Sequence, residues 1–247
     1  YQLVSNIFYY IEMSVFFLNL LFEKETIMEN ELKIKHACNY MKMVHKDDHT
    51  GHDIAHVERV HTLAKYIALN EGLVHTTIIE LAALLHDTVD SKITNEQQAY
   101  DKLSTFLETI DLTQDDIQHV LHIIQNMSYR GGKNNQATLS IEGQIVRDAD
   151  RLDALGAIGI ARTFQFAGYF GEPMWTESNV PFESLHTDNI EAFDPSAIKH
   201  FYEKLLKLKS LMHTSTGRKL AEERHHFMLQ FLKQFLHEWN FNNNTNM

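Results

Sequence analysis

Residues 76–86, TTIIELAALLH, are apolar on almost every side over a helical length. A helix of that kind has no face to give to water, so other elements must surround it. The rest of the chain supplies helices rather than strands for this purpose. Only three prolines and ten glycines punctuate 247 residues, which disfavours a β fold of many tight turns and favours long helices. The spacing predicts helices over 31–45, 53–71 (closed by Gly72 as C-cap), 76–86, 94–109, 113–127, 140–169, 196–212 and 216–240. Thr113 and Asp116 have the spacing of a cap at the start of the fifth. Gly156 and Gly159 fall inside the sixth, where each costs about 1 kcal/mol relative to Ala, so they mark close backbone packing or a break. Residues 128–138 read as a polar, Gly-containing loop, and 168–196 as one long irregular stretch. The expected fold is all-α, a single-domain helical bundle over 28–240, followed by a polar tail at 241–247.

Residues 1–22 are strongly apolar and aromatic, but Asn6, Glu12 and Asn19 interrupt them, and no signal-peptide pattern is visible. Met28 opens what looks like an ordinary start, and KETIM, which ends on it, suits a ribosome-binding sequence read in frame. Residues 1–27 are therefore expected to be an extension outside the core; a coding sequence without a purine-rich run before Met28 would contradict this. No membrane association is expected unless residues 1–22 are a real anchor. The single cysteine, Cys38, precludes an intrachain disulfide, fits a cytoplasmic protein and is expected to be a small core residue. The net charge of −11 argues against nucleic-acid binding, which needs cations to neutralise phosphates. A small anionic substrate is still admissible, because a local basic cluster or a metal ion can hold one.

Sixteen histidines are many, and two of them fall on buried helical positions. Val60, Leu63, Ala64 and Ile67 form an apolar stripe that, carried back one turn, lands on His56. His86 and Asp87 end the buried helix. Asp150 and Asp153 recur at helical spacing with Val146, Ala157 and Ile160, and Asp is rarely buried unless paired or bound to a metal. Each observation has a plain structural alternative: a core histidine bonded to a carbonyl, a helix cap, or Arg147 or Arg151 paired with an aspartate. Together they place two imidazoles and two carboxylates where water is scarce, a mixed N/O set suited to a first-row divalent ion rather than to a thiolate site.

GHDIAHVERVHTLAKYIA, LAALLHDTVDSK and DADRLDALGAIGIARTF, in that order, resemble the HD-domain metal-dependent phosphohydrolases, specifically the YpgQ/YedJ-type subgroup of small bacterial HD hydrolases. The resemblance covers roughly 30–240. It implies that His56, His86, Asp87 and Asp150 ligate one divalent metal, Mn²⁺ foremost, with Ni²⁺, Co²⁺, Fe²⁺, Zn²⁺ or Mg²⁺ also admissible. His52 and Asp53, beside the first ligand, and Asp153, one turn after the last, are then supporting residues, with Asp153 holding a ligand or a water. Asp148 is the remaining aspartate of that string and the ADRL match passes over it. The implied reaction is hydrolysis of nucleoside or deoxynucleoside triphosphates to monophosphate and pyrophosphate. Asp87 or Asp90 would accept a proton from water, and Lys92 would handle a phosphate. Arg130, Lys133, Lys204, Lys207 and Arg218 are further candidates for phosphate binding. The alternatives are a nucleotidase or phosphodiesterase using the same site, and a nucleotide-sensing module whose metal site is vestigial. A second metal on His119 and His122 is disfavoured, because His119 lies off its helix's apolar face. The expected partner is a small nucleotide, with the choice between monomer and homodimer open.

Overall fold

The computed structural model describes residues 2–46, 53–89, 96–127, 137–186 and 189–241. They are all-α: α1 (Gln2–Val44), α2 (Ile54–Asn70), α3 (Thr77–Leu85), α4 (Glu96–Thr109), α5 (Gln114–Met127), α6 (Ile141–Asp153), α7 (Gly156–Phe170), α8 (Ala197–His200), α9 (Leu206–Leu208) and α10 (Ser215–Trp239). Among the described residues there is no strand, and no helix is long and apolar enough to cross a membrane.

Helix α3 is the hub. Ile79 to Leu85 are all buried, and α1, α2, α5 and α6 pack around them. Each covering helix turns one apolar stripe inward: Val57, Val60, Ala64 and Ile67 on α2, Ile117, Val120, Ile123 and Ile124 on α5, Ile145, Val146, Ala149 and Leu152 on α6. Helix α1 starts at Gln2 rather than near residue 31, since no proline or glycine stops it; among its described side chains Ala37 and Met41 are fully buried. Cys38 is half-buried against the core. Helix α2 ends at Glu71, with Gly72 in the left-handed conformation (φ +82°) after it, and Leu73 N donates back to Ala68 O at 3.0 Å. The cap expected at α5 is present: Asp116 N donates to Thr113 Oγ1.

Two expected helices are interrupted. The segment 140–169 breaks after Asp153, and α7 begins at Gly156 with φ +73°. Both readings of its glycines hold at once, because a Cβ on Gly159 would stand 2.2 Å from the carbonyl oxygen of Ala154. The segment 196–212 is a helix with a π turn over Phe201–Leu205 and a 3-10 turn over Lys209–Leu211. The irregular stretch begins at Gly171 and contains two 3-10 turns, Phe182–Ser184 and Ile190–Ala192. The end of α10 secures it: Asn179 N donates to Asn240 Oδ1 at 2.9 Å, and Trp239 Nε1 donates to Glu177 O at 2.9 Å.

Candidate metal centre

Three elements bring the site together. Asp53 caps α2 by accepting from His56 N at 2.8 Å, which starts the helix so that its first turn delivers His56, 1% exposed, into the interior. After Leu85 the chain tightens into a 3-10 turn over His86–Val89, with Thr88 Oγ1 donating to Leu85 O. Asp87 lies in that turn, next to His86 in the chain. Asp150 lies on α6, which runs against α2.

Both imidazoles are held by Nδ1 and aim Nε2 at the same place. His56 Nδ1 donates to Asp153 Oδ2 at 2.7 Å, and His86 Nδ1 donates to Ala83 O at 2.8 Å. Nε2 of His56 lies 3.3 Å from Asp87 Oδ2 and 3.6 Å from Asp150 Oδ1. Nε2 of His86 lies 3.3 Å from Asp87 Oδ1 and 3.8 Å from Asp150 Oδ1. The rings approach edge to face at 5.4 Å. Among the described residues, His56, His86 and Asp87 offer ligand atoms all within 4.8 Å of one another.

This arrangement fits a cation. Nε2 of His86 is buried and meets no partner in hydrogen-bond geometry among the described residues; it faces carboxylate oxygens at 3.3 and 3.8 Å. Two carboxylates facing two imidazoles suit a hard-to-borderline divalent ion. Burial opposes a charged His56, but hydrogen bonds to Asp153 and Asp87 outweigh it and raise its pKa. Burial likewise opposes a charged His86, and the Asp87 and Asp150 carboxylates push its pKa up to about 9.

The three aspartates of α6 have separate surroundings. At 100° per residue Asp150 and Asp153 point within about 60° of each other, while Asp148 points away. Asp148 is fully buried and accepts from His213 N, Thr214 N and Thr214 Oγ1, holding Thr214, the N-cap of α10, in place. Asp153 stands behind His56 and accepts from Arg59 Nε at 2.7 Å, Arg59 Nη2 at 3.0 Å and Arg162 Nη1 at 2.7 Å. The arginines on this aspartate are thus not the expected neighbours. Arg147 donates to Asn126 O and Arg151 to Leu211 O.

Of the other residues singled out from sequence, His52, Asp90, Lys92, Arg130 and Lys133 lie outside the described residues. Arg218 donates to Met212 O and His213 O, closing the turn before α10. Lys204 is in the π turn, where its charge helps lower the pKa of His200 after burial, and Lys207 is half-buried on α9. His119 meets Ser140 Oγ at 2.8 Å and Glu142 at 3.8 Å. Arg59 and Arg162 were not legible as site residues, although Arg59 follows His56 by one turn on the same face.

A family model described as HD domain matches residues 53–155. YpgQ of Bacillus subtilis (strain 168) is 42% identical over 201 residues, spanning 79% of this chain and 88% of that protein. The crystal structure of Bacillus subtilis YpgQ in complex with ADP superposes with a TM-score of 0.69 at 37% identity, over 85% of this chain and 96% of that one. A Bacillus thuringiensis structure described as an HD-superfamily hydrolase gives a TM-score of 0.67 at 41% identity, over 85% and 98%.

Proposed function

Because this chain belongs to the HD superfamily of hydrolases, we propose that it is a metal-dependent phosphohydrolase in which His56, His86, Asp87 and Asp150 hold one divalent ion. The observation that carries the reading is the clustering of two Nδ1-anchored imidazoles with Asp87, their buried Nε2 atoms facing carboxylate oxygens of Asp87 and Asp150 at 3.3–3.8 Å. Mn²⁺ is the first choice, and Ni²⁺, Co²⁺, Fe²⁺, Zn²⁺ and Mg²⁺ suit the same donors. When bound, such an ion would lower the pKa of water and offset charge on phosphoryl oxygens. We assign the unit responsible to residues 28–240.

The substrate we favour is a nucleoside or deoxynucleoside triphosphate. The relative YpgQ was crystallised with ADP, which supports a nucleotide as the small-molecule partner. Water adds to the α-phosphorus, the bond from that phosphorus to the bridging oxygen breaks, and pyrophosphate leaves. The Asp87 or Asp90 carboxylate takes the proton. Asp87 is 14% exposed and Asp150 28% exposed at the side chain, so a ligand can approach from their side while both histidines stay covered. Arg59 and Arg162, both bonded to Asp153, bring two positive charges next to the centre despite the net charge of −11. Lys92 and the cations of the 128–138 loop keep their assignment as phosphate contacts.

The test is product identification with Mn²⁺ and a panel of dNTPs, NTPs and monophosphates. Monophosphate plus pyrophosphate is the expected outcome. Free phosphate released from a monophosphate would replace this reading by a nucleotidase, and no turnover of any member would favour a nucleotide-sensing module.

A further inference from the structure

We propose that Asp153, Arg59 and Arg162 form one positioning unit that aims His56 into the metal centre, and that the elbow at Gly156 exists to bring Arg162 to it. The proposal rests on the reading of His56 as a metal ligand. An ionised carboxylate offers about four acceptor sites. Asp153 is 1% exposed and receives four donors: His56 Nδ1, Arg59 Nε, Arg59 Nη2 and Arg162 Nη1. Oδ2 takes three of these donors and Oδ1 one, and both oxygens lie on the Nδ1 side of His56, away from Nε2. What it can do is hold the imidazole by Nδ1 and leave Nε2 pointing at Asp87 and Asp150.

The two arginines make that hold rigid. A carboxylate bonded only to an imidazole can swing about its own side-chain torsions. Here Arg59 grips both oxygens from α2, the helix of His56 itself, and Arg162 grips Oδ2 from α7. Charge-assisted bonds of this kind are the stronger class and add directional restraint. His56, Arg59 and Asp153 therefore cannot turn independently.

Arg162 reaches Asp153 only because the chain folds back on itself nine residues later. Helix α6 ends at Asp153, Gly156 takes φ +73°, and Gly159 sits against the Ala154 carbonyl with no room for a Cβ. Arg224 of α10 holds the outside of the bend. It donates to Leu152 O at 2.5 Å, and its Cγ would lie 3.1 Å from a Cβ on Gly156. The glycines thus have a purpose beyond packing, for a straight continuation of α6 would carry Arg162 away from the site.

The experiment is Mn²⁺ titration calorimetry on the full chain, with melting of the metal-free protein as the structural readout. Asp153→Asn is expected to weaken Mn²⁺ binding about 10- to 100-fold, the usual cost of losing the partner behind a ligating histidine. Arg162→Gln is expected to weaken it several-fold, and Arg162→Lys, which keeps one charged donor for Oδ2, to restore most of that loss. Variants that bind Mn²⁺ as tightly as the parent, whatever their melting temperatures, would overturn the proposal and leave the network a mere brace between helices. Equal weakening by Arg162→Gln and Arg162→Lys at unchanged melting temperature would also overturn it. A parent chain that binds no Mn²⁺, Co²⁺ or Ni²⁺ would instead overturn the metal-centre reading, and this proposal with it.

Discussion

Oδ2 of Asp87 lies 3.3 Å from Nε2 of His56, across the gap between the end of the buried helix and the start of its neighbour. Asp87 is the residue most fully committed to the centre, since its two oxygens face the two imidazoles separately. Asp87→Ala removes a proposed ligand but no core packing. The metal-free variant should keep its helical circular-dichroism signal and lose metal-dependent turnover by ~100-fold or more, beyond the usual loss for a supporting residue. Full activity in this variant would refute the site.

Metal binding should be strongly pH-dependent. Both histidines have raised pKa values in the absence of an ion, His86 to about 9, so a metal ion must displace protons. Affinity should therefore rise as pH rises toward about 9 and fall steadily toward pH 6. Titrations at several pH values read this directly, and a flat profile would speak against both imidazoles as ligands.

Saturating Mn²⁺ should also stabilise the fold. A ligand present at a hundred times its Kd adds about 2.7 kcal/mol. For a chain of this size that raises the melting temperature by roughly 5–10 °C. The shift should disappear with a chelator and in Asp87→Ala.

Much of this was readable before the fold was known, and the reasons separate cleanly. The stripe on α2 places His56 inside because burial follows helical periodicity, whereas only the ADRL match favours Asp150 over Asp148. Pairing through space follows no such rule. Arg59 and Arg162 find Asp153 from 94 and 9 residues away, whereas Arg147 and Arg151, its apparent neighbours, turn to carbonyls of other segments. The break after Asp153 was ambiguous because a glycine inside an apolar helical pattern is compatible with a bend or with close packing, and here it serves both. The π turn at Phe201–Leu205 leaves the apolar pattern intact, so nothing in the spacing announces it.

Gly159 and Gly168 share α7 and should respond in opposite ways to alanine. A Cβ at Gly159 would meet the Ala154 carbonyl oxygen at 2.2 Å, which only a backbone shift relieves, so Gly159→Ala should cost roughly 1–3 kcal/mol. A Cβ at Gly168 meets nothing within 4 Å, and Gly168→Ala should stabilise by up to about 1 kcal/mol through helix propensity. Denaturant melts of the two variants test the bend.

Glu80 is the acid-sensitive tie between α2 and α3. Burial works against its charge, but His61 at 2.9 Å, Thr76 at 2.7 Å and Lys65 at 3.1 Å outweigh it and bring its pKa down to about 2. Its folded pKa lies below its unfolded value, so its contribution is complete above about pH 4.5 and is lost as pH falls toward 2. Glu80→Gln should cost roughly 1–2 kcal/mol at pH 7 after allowance for solvent screening. The gap between parent and variant should narrow steadily below pH 4.5, and a gap independent of pH would contradict the assignment.

The central claim is that four side chains from three segments hold one divalent ion. Anomalous diffraction from crystals grown with Mn²⁺ tests it most directly. The account predicts one strong peak about 2 Å from Nε2 of His56, Nε2 of His86 and an oxygen each of Asp87 and Asp150. A peak elsewhere, or an ion that leaves either histidine uncoordinated, would contradict it.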